Sequence, residues 1–417
     1  MFVYEVRPGD SLYRIAVRYR VSIDRLRQVN KLTRDNLTVG QALLIPSHRY
    51  IVLPGDTPER IAARTGVPWA DFRRREVPPP GQVLAIPWVE PWSAYVRGYL
   101  PLTEVGVTAA NIGDWDQTLS DVCLFAHIFN ADGTIKPLND REARDFALSV
   151  GAAPFACVAN IGPGGVFSTE VVDALIENAA VRQTAIRSAA ALVRAGGYTG
   201  LDVDLERVSP ADRQAYPDFL RALHTQLGPE IPLSIAVSPQ AAGERFTYAA
   251  GLDYGALAQP VDLFFIMAYD FHWIGGPPGA ISPLPNVIEV LDYADQRGVP
   301  RAKTLLGIST TAYDWPLAGP SPRRATAYSG QRAVTVAVDH FAEIRYDETA
   351  QAPWFRYTDA SGVPREVWFE DARSLLAKVR LIRERGLRGF GFWHLGSISP
   401  QAEALVSYWT RPQRPQS

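Results

Sequence analysis

Eight short apolar runs, alternating with amphipathic stretches, constrain the fold of this chain more than any other feature. They are Tyr95–Tyr99, Val122–Ile128, Phe155–Ile161, Gly200–Asp204, Leu233–Val237, Leu263–Ala268, Thr304–Ile308 and Gly389–Trp393. Helical patterns such as Val171–Ala195 and Ala211–Leu227 lie between several of them. Runs that are apolar throughout and separated by helices suit parallel strands covered on the outside. Eight such units over about 300 residues predict a (β/α)₈ barrel. The gap between the seventh and eighth runs is unusually long. Within it, His340–Tyr346, Trp354–Tyr357 and Glu366–Phe369 predict extra strands. A small α+β insertion at about 313–385 would then form one wall of a cleft. In this architecture the chemistry sits at the C-terminal ends of the strands.

The fourth run carries the chemical signal. Tyr198–Arg207 reads YTGLDVDLER. Side chains alternate along a strand, so Asp202, Asp204 and Glu206 share one face while Leu201, Val203 and Leu205 share the other. The apolar face suits packing against outer helices, which puts three carboxylates inside the barrel. Like charges in a low-dielectric site cannot all ionise cheaply, so a purely structural strand would avoid this arrangement. The cluster is expected to raise the pKa of Glu206 toward neutrality.

A repeat precedes the barrel. YEVRPGDSLYRIAVRYRVSIDRL at Tyr4–Leu26 is echoed by YIVLPGDTPERIAARTGVPWADF at Tyr50–Phe72. The copies close on GQALLIP at Gly40–Pro46 and GQVLAIP at Gly81–Pro87. In each, a short strand ends at a Pro-Gly-Asp turn, and Asp10 or Asp56 is expected to cap the helix that follows. Leu12, Ile15, Ala16 and Tyr19 recur at helical spacing, and a second helix is expected around Ile23–Val29. The predicted order is βααβ, with boundaries at 1–47 and 48–88, a short linker at Trp88–Trp92, and the larger domain at 93–412.

Charge is uneven along this division. Residues 1–88 hold 14 Lys or Arg against 8 Asp or Glu, and the remainder holds 28 against 36. A basic front module suits an anionic polymer, although charge alone is equally compatible with plain solubility. The run Arg73–Arg75 has no interleaved aromatic residues, so no nucleic-acid partner is expected. Cys123 and Cys157 both lie in apolar runs and read as small buried hydrophobes. No disulfide framework, metal site or organic cofactor is expected. The N-terminus shows no signal-peptide pattern, and no apolar stretch is long enough to span a bilayer.

The two repeats resemble LysM domains, modules that bind N-acetylglucosamine-containing glycans. The first matches throughout, including Asn30. The second is shortened, lacks that Asn, and carries Pro58 in its first helical turn, a tolerated position. The barrel segment, about Tyr95 to Tyr408, resembles the family 18 glycoside hydrolases, whose fourth strand reads DxxDxDxE. Asp202, Asp204 and Glu206 match three of its acids, and Thr199 replaces the first. Met267-Ala-Tyr269-Asp270 matches the family's MxYD, Trp393 matches the tryptophan floor of its sugar site, and Asn160-Ile-Gly162-Pro-Gly-Gly165 stands where SxGG is usual.

That resemblance implies substrate-assisted retaining catalysis, a recognised exception to the two-carboxylate scheme. Glu206 would be the general acid, Asp204 would orient the substrate's acetamido group, and Tyr269 would hydrogen-bond its carbonyl. Asp202 would lie deeper and tune Asp204. Asp270, Met267, Trp393 and Asn160 would contact the sugar, and Trp273 and Trp315 are further candidates for stacking. Signature-like segments at Tyr313–Trp315 and Val367–Ser374, with the LysM pair, resemble the spore cortex hydrolases of endospore-forming bacteria. The implied activity is N-acetylglucosaminidase action on cortex peptidoglycan, by a monomer associated with the spore coat, cortex or cell wall. A chitinase and a catalytically inactive glycan-binding coat protein are the alternatives.

Overall fold

Each N-terminal repeat is organised by its Pro-Gly-Asp turn. In the first, β1 (Phe2–Glu5), α1 (Leu12–Tyr19), α2 (Ile23–Val29) and β2 (Ala42–Ile45) follow one another, and β1 pairs antiparallel with β2. Leu12, Ile15, Ala16 and Tyr19 are all buried, as their spacing requires. The cap differs from expectation. Ser11, not Asp10, accepts from the Arg14 N–H, and Thr57 does the same for Arg60 in the second repeat. Asp10 instead ties the turn to the strand. It accepts from the Tyr4 hydroxyl at 2.6 Å and the Arg7 N–H at 2.9 Å, while Arg18 reaches the same hydroxyl at 2.7 Å. The second repeat reproduces this triad with Tyr50, Asp56 and Arg64. The tighter job goes to the carboxylate because it can accept several bonds at once.

The second repeat comprises β3 (Arg49–Ile51), α3 (Pro58–Thr65), a 3₁₀ turn at Trp69–Phe72 and β4 (Val83–Ala85). Its missing Asn has a visible consequence. In the first repeat the Asn30 side chain donates to the carbonyls of Leu26 and Leu44 and accepts from the Leu44 N–H, joining helix to strand. No such clamp is available to the shortened copy.

The computed structural model describes residues 1–414 except 114, 116, 163–164, 243–248, 320–322 and 398–400. Beyond the repeats, the parallel strands are β5 (Trp92–Pro101), β6 (Asp121–Phe129), β8 (Ala153–Ala159), β9 (Gly200–Asp204), β10 (Leu233–Val237), β11 (Leu263–Ile266), β12 (Thr304–Ser309) and β18 (Gly389–Trp393). A two-residue β7 (Ile135–Lys136) folds back on β6. Pairing runs in order from β6 through β8 to β12 and β18, and β5 joins β18 to β6, so eight strands close into a barrel. Helices α4 (Ala110–Gly113), α5 (Arg141–Ser149), α6 (Thr169–Glu177), α7 (Ala179–Gly196), α8 (Ala215–Leu227), α9 (Tyr254–Leu257) and α10 (Leu284–Gln296) follow in sequence. The expected helix Val171–Ala195 is broken at Asn178. Its side chain accepts from the Ala180 and Val181 N–H groups, so it starts a new helix and ends the old one.

The insertion is larger than its apolar runs suggest. Strands β13 (Thr311–Pro316), β14 (Thr326–Ser329), β15 (Arg345–Asp347), β16 (Ala352–Thr358) and β17 (Pro364–Trp368) form an antiparallel sheet ordered β14-β13-β17-β16-β15. Helix α11 (Gly330–Asp339) packs on it, followed by α12 (Ala372–Arg385), α13 (Ala402–Trp409) and an edge strand β19 (Thr410–Pro412). The expected strand His340–Tyr346 is corrected. His340 closes α11, and only Arg345 and Tyr346 enter a strand. The helical recurrence of Ala333, Val336 and Ala337 outweighs the later β-formers.

The first repeat is docked on this insertion. Thr38 Oγ1 donates to the Ala342 carbonyl at 2.7 Å, the Ile344 N–H donates to the Val39 carbonyl at 2.9 Å, and Arg373 reaches the Gly40 carbonyl at 3.1 Å. Gly40 has φ +79°, and a Cβ there would lie 1.7 Å from the Ile344 carbonyl oxygen. Gly40→Ala is therefore expected to cost about 1–3 kcal/mol and loosen the docked repeat. A scanning-calorimetry endotherm for the variant that matched the unmodified protein would contradict this.

Candidate active site

At the C-terminal ends of the barrel strands lies a cleft of about 630 Å³. Tyr99, Phe125, Ile161, Phe167, Phe265 and Trp393 supply its apolar surface, and Asp204, Glu206, Tyr269 and Asp270 supply its reactive groups. Met267 lines it as well. The strand alternation brings Asp202, Asp204 and Glu206 up one side of the barrel in order of depth. Asp202 is wholly buried, Asp204 is 3% exposed, and Glu206 stands half-buried just beyond the end of β9.

Each acid meets a different environment. Asp202 is paired: Arg97 Nη1 donates to Oδ1 at 2.7 Å and the Tyr99 hydroxyl to Oδ2 at 2.9 Å. Asp204 is buried, and its Oδ1 has no hydrogen-bond partner among the described residues. Burial, then the charges of Glu206 and Asp202, hold its carboxyl well above the usual range. Glu206 is pushed up to about 7, first by burial and then by the Asp270 charge, with Arg207 opposing. A carboxylic acid that still carries its proton near neutrality can act as a general acid.

The remaining motif residues separate into those at the cleft and those away from it. Tyr269 presents a buried hydroxyl whose proton is held firmly, first by burial and then by the neighbouring acids. Asp270 adopts φ +60° at the rim, where the Tyr313 hydroxyl donates to Oδ1 at 2.9 Å. Trp393 ends β18 edge-on to Phe125, with ring centroids 4.9 Å apart. Trp273 is 54% exposed and lies across Gly275 and Gly276, outside the cleft lining. Trp315 is corrected: at 1% exposure it is packed edge-on against Tyr313 and offers no face to a sugar.

Asn160 is also placed differently from expectation. Its side chain is turned onto the backbone of the catalytic strand rather than into the cleft. Oδ1 accepts from the Glu206 N–H at 2.9 Å, and Nδ2 donates to the Glu206 carbonyl at 2.9 Å and to the Ser168 carbonyl at 2.9 Å. Of the segment that follows, Pro163 and Gly164 lie outside the described residues. One amide thus holds both polar groups of residue 206. Asn160→Ala should lower kcat about 10- to 100-fold through misplacement of Glu206, with KM nearly unchanged. A raised KM with normal kcat would instead put Asn160 on the substrate.

Several residues at the site escape a motif reading. Glu104 lines the cleft from the loop after β5 and lies 3.3 Å from His394 Nε2. Arg97, Asp121 and Tyr95 form a buried network beneath Asp202. A signal for that network does exist, because Tyr95, Arg97 and Tyr99 share one face of an otherwise apolar strand. Cys123 and Cys157 are buried as expected, yet their sulfurs converge with an Asp202 oxygen to within 4.8 Å. Burial raises both thiol pKa values and Arg97 already occupies Asp202, so the set is poorly suited to a cation.

Comparison with known proteins agrees with this geometry. Residues 120–397 match the model for glycosyl hydrolases family 18, and residues 4–46 and 50–87 match the LysM domain. The chain is similar to the cortical fragment-lytic enzyme of Bacillus anthracis, with 34% identity over 97% of each chain. It is also similar to the crystal structure of the Bacillus cereus spore cortex-lytic enzyme SleL, with a TM-score of 0.91 and 32% identity. That match covers 99% of this chain and 98% of the other. A chitinase from Chromobacterium violaceum is more distant, at 26% identity and a TM-score of 0.70 over 76% of this chain and 98% of the other.

Proposed function

This chain belongs to the glycosyl hydrolases of family 18, with two LysM domains ahead of the barrel, and on that premise we propose that it cleaves β-1,4 bonds beside N-acetylglucosamine in spore cortex peptidoglycan. The observation that carries the reading is the pairing of Glu206, its pKa pushed up to about 7, with Asp204, which lines the same cleft and whose buried Oδ1 has no hydrogen-bond partner among the described residues. Glu206 gives its proton to the glycosidic oxygen as that bond breaks. The carbonyl oxygen of the substrate's own acetamido group attacks the anomeric carbon, forming an oxazolinium ion. Asp204 accepts from the acetamido N–H and balances the positive charge, while the Tyr269 hydroxyl donates to the acetamido oxygen. Water, deprotonated by the Glu206 carboxylate, then opens the ring with retention. The LysM domains hold the glycan, which keeps the enzyme on an insoluble polymer. The full-length likeness to enzymes named for cortical fragments favours cortex over chitin.

Mass spectrometry of products from cortex muropeptides and from chitin oligomers tests the reading. New N-acetylglucosamine reducing ends from cortex material are expected. Cleavage of chitin alone would establish the chitinase reading instead. No product from either would leave a glycan-binding protein.

A further inference from the structure

The cleft is lined by charge of one sign. Asp204, Glu206, Asp270 and Glu104 contribute to its surface, and no Lys or Arg does so among the described residues. Arg207 opposes the charge of Glu206 from outside that lining. The first three acids belong to the catalytic strand or the segment after β11, where the chemistry accounts for them. Glu104 does not, since it comes from the turn after β5. That turn is inverted relative to a solvated loop. Val105 is 103% exposed, whereas the Glu104 side chain beside it is 49% exposed and lines the cleft. Both backbone groups of Glu104 are fixed: its N–H donates to the Pro101 carbonyl at 2.9 Å, and its carbonyl accepts from the Val107 N–H at 3.2 Å. Its Oε2 lies 3.3 Å from Nε2 of His394, the residue that follows Trp393. Burial pushes His394 down to about 4, so the imidazole brings no positive charge at neutral pH. Half of the Glu104 side chain still meets water, which keeps it ionised there although burial raises its pKa. The Tyr313 hydroxyl that donates to Asp270 also feels the charge of Glu104. Glu104 is thus close both to the Trp393 floor and to the wall formed by the insertion.

We propose that Glu104 is a specificity-determining residue: its carboxylate accepts from the hydroxyls of an uncharged sugar lying on Trp393 and repels a glycan whose substituents there carry a carboxylate. This rests on the hydrolase reading above for the identity of the ligand as a glycan. A sugar hydroxyl is a donor, and its bond to an ionised acceptor is stronger than one to a neutral group. A carboxylate entering the same half-enclosed cleft finds no cation to pair with, so two like charges are left facing each other. Over about 8 Å at a partly screened rim, that repulsion corresponds to about 10-fold in affinity. Peptidoglycan offers both kinds of ring, because the lactyl carboxyl of its muramic acid is either free or blocked as an amide. The cleft selects the blocked form.

One alternating tetrasaccharide of N-acetylglucosamine and N-acetylmuramic acid, used as the free acid and as its methylamide, tests this on the full chain. At pH 7 and low salt, kcat/KM of the unmodified protein should favour the methylamide about 10-fold. Glu104→Gln, which keeps the shape of the side chain, should cut the preference to about 2-fold, and Glu104→Asp should retain most of it. Raising salt to about 1 M should weaken the preference of the unmodified protein, because screening acts on charge and not on shape. An unchanged ratio in Glu104→Gln with native circular dichroism would overturn the proposal, even if both rates fell, since a residue that only holds its turn affects both ligands alike. A preference for the free acid, or one that salt leaves untouched, would overturn it whether or not the variant folds. Hydrolysis of neither ligand by the unmodified protein would count against the hydrolase reading. Binding of the same pair, taken as the difference between the unmodified chain and Trp393→Ala so that the LysM domains cancel, would then still decide the question of Glu104.

Discussion

Glu206→Gln should lower kcat/KM by about 10²- to 10⁴-fold on any glycan the unmodified enzyme cleaves, the range a single general acid contributes. The substitution keeps the shape of the side chain and removes the proton it donates. Binding should survive, because Gln can still fill the cleft floor and the LysM domains are untouched. The pH profile supplies a second arm. Glu206 must be protonated to act, and its pKa is pushed up to about 7, so the basic limb of the unmodified enzyme should fall near neutrality. A limb near an ordinary carboxylate value would remove Glu206 from the role. Stability should move the opposite way. A carboxyl whose folded pKa lies above its unfolded value of about 4.5 contributes stability below pH 4.5 and loses it as pH rises through about 7. The Gln variant escapes that loss, so its melting temperature should exceed that of the unmodified protein at pH 8 and match it at pH 4.

Asp204→Asn should reduce kcat about 10²- to 10³-fold, the usual effect of losing one preorganised charge opposite a developing one. The observation behind this is the buried Oδ1 with no partner among the described residues, a cost that a structural aspartate would have relieved. If Asp204 meets charge that develops only in the transition state, kcat falls and KM changes little. Loss of the acid limb from the kcat profile should accompany it, since that limb reports ionisation of this group. A normal kcat with a raised KM would reduce Asp204 to a ground-state sugar contact. Like Glu206→Gln, the variant should be more stable at high pH, because burial raises the Asp204 pKa and the sign of the linkage is the same.

Much of this was legible from period alone. Strands β9, β10 and β18 occupy the residues their apolar runs predict, and most others differ at their ends by one to three residues. The alternation in LDVDLE places Asp202, Asp204 and Glu206 on the inner face, because a strand has only two faces and the apolar one must meet the helices. The repeat was legible too, down to the duplicated tyrosine, aspartate and arginine that its turns require. Where local rules missed, a local competitor was responsible: Ser11 for the cap expected of Asp10, Asn178 for helix continuity, and helical spacing over β-propensity before His340.

The partners of those acids could not be read the same way. Arg97 and Asp202 are 105 positions apart, and Asn160 reaches Glu206 across 46. Trp315 follows a barrel strand and was a further candidate for stacking beside the motif-supported Trp393, and only the tertiary structure decides that Trp315 is buried against Tyr313 while Trp393 lines the cleft. Sequence by itself determined which residues share a face, because backbone geometry repeats every two or 3.6 residues. Tertiary structure alone decided which faces meet, and hence which acid is neutralised, which keeps its proton and which aromatic ring is free. Those outcomes depend on distances between segments that no local period encodes.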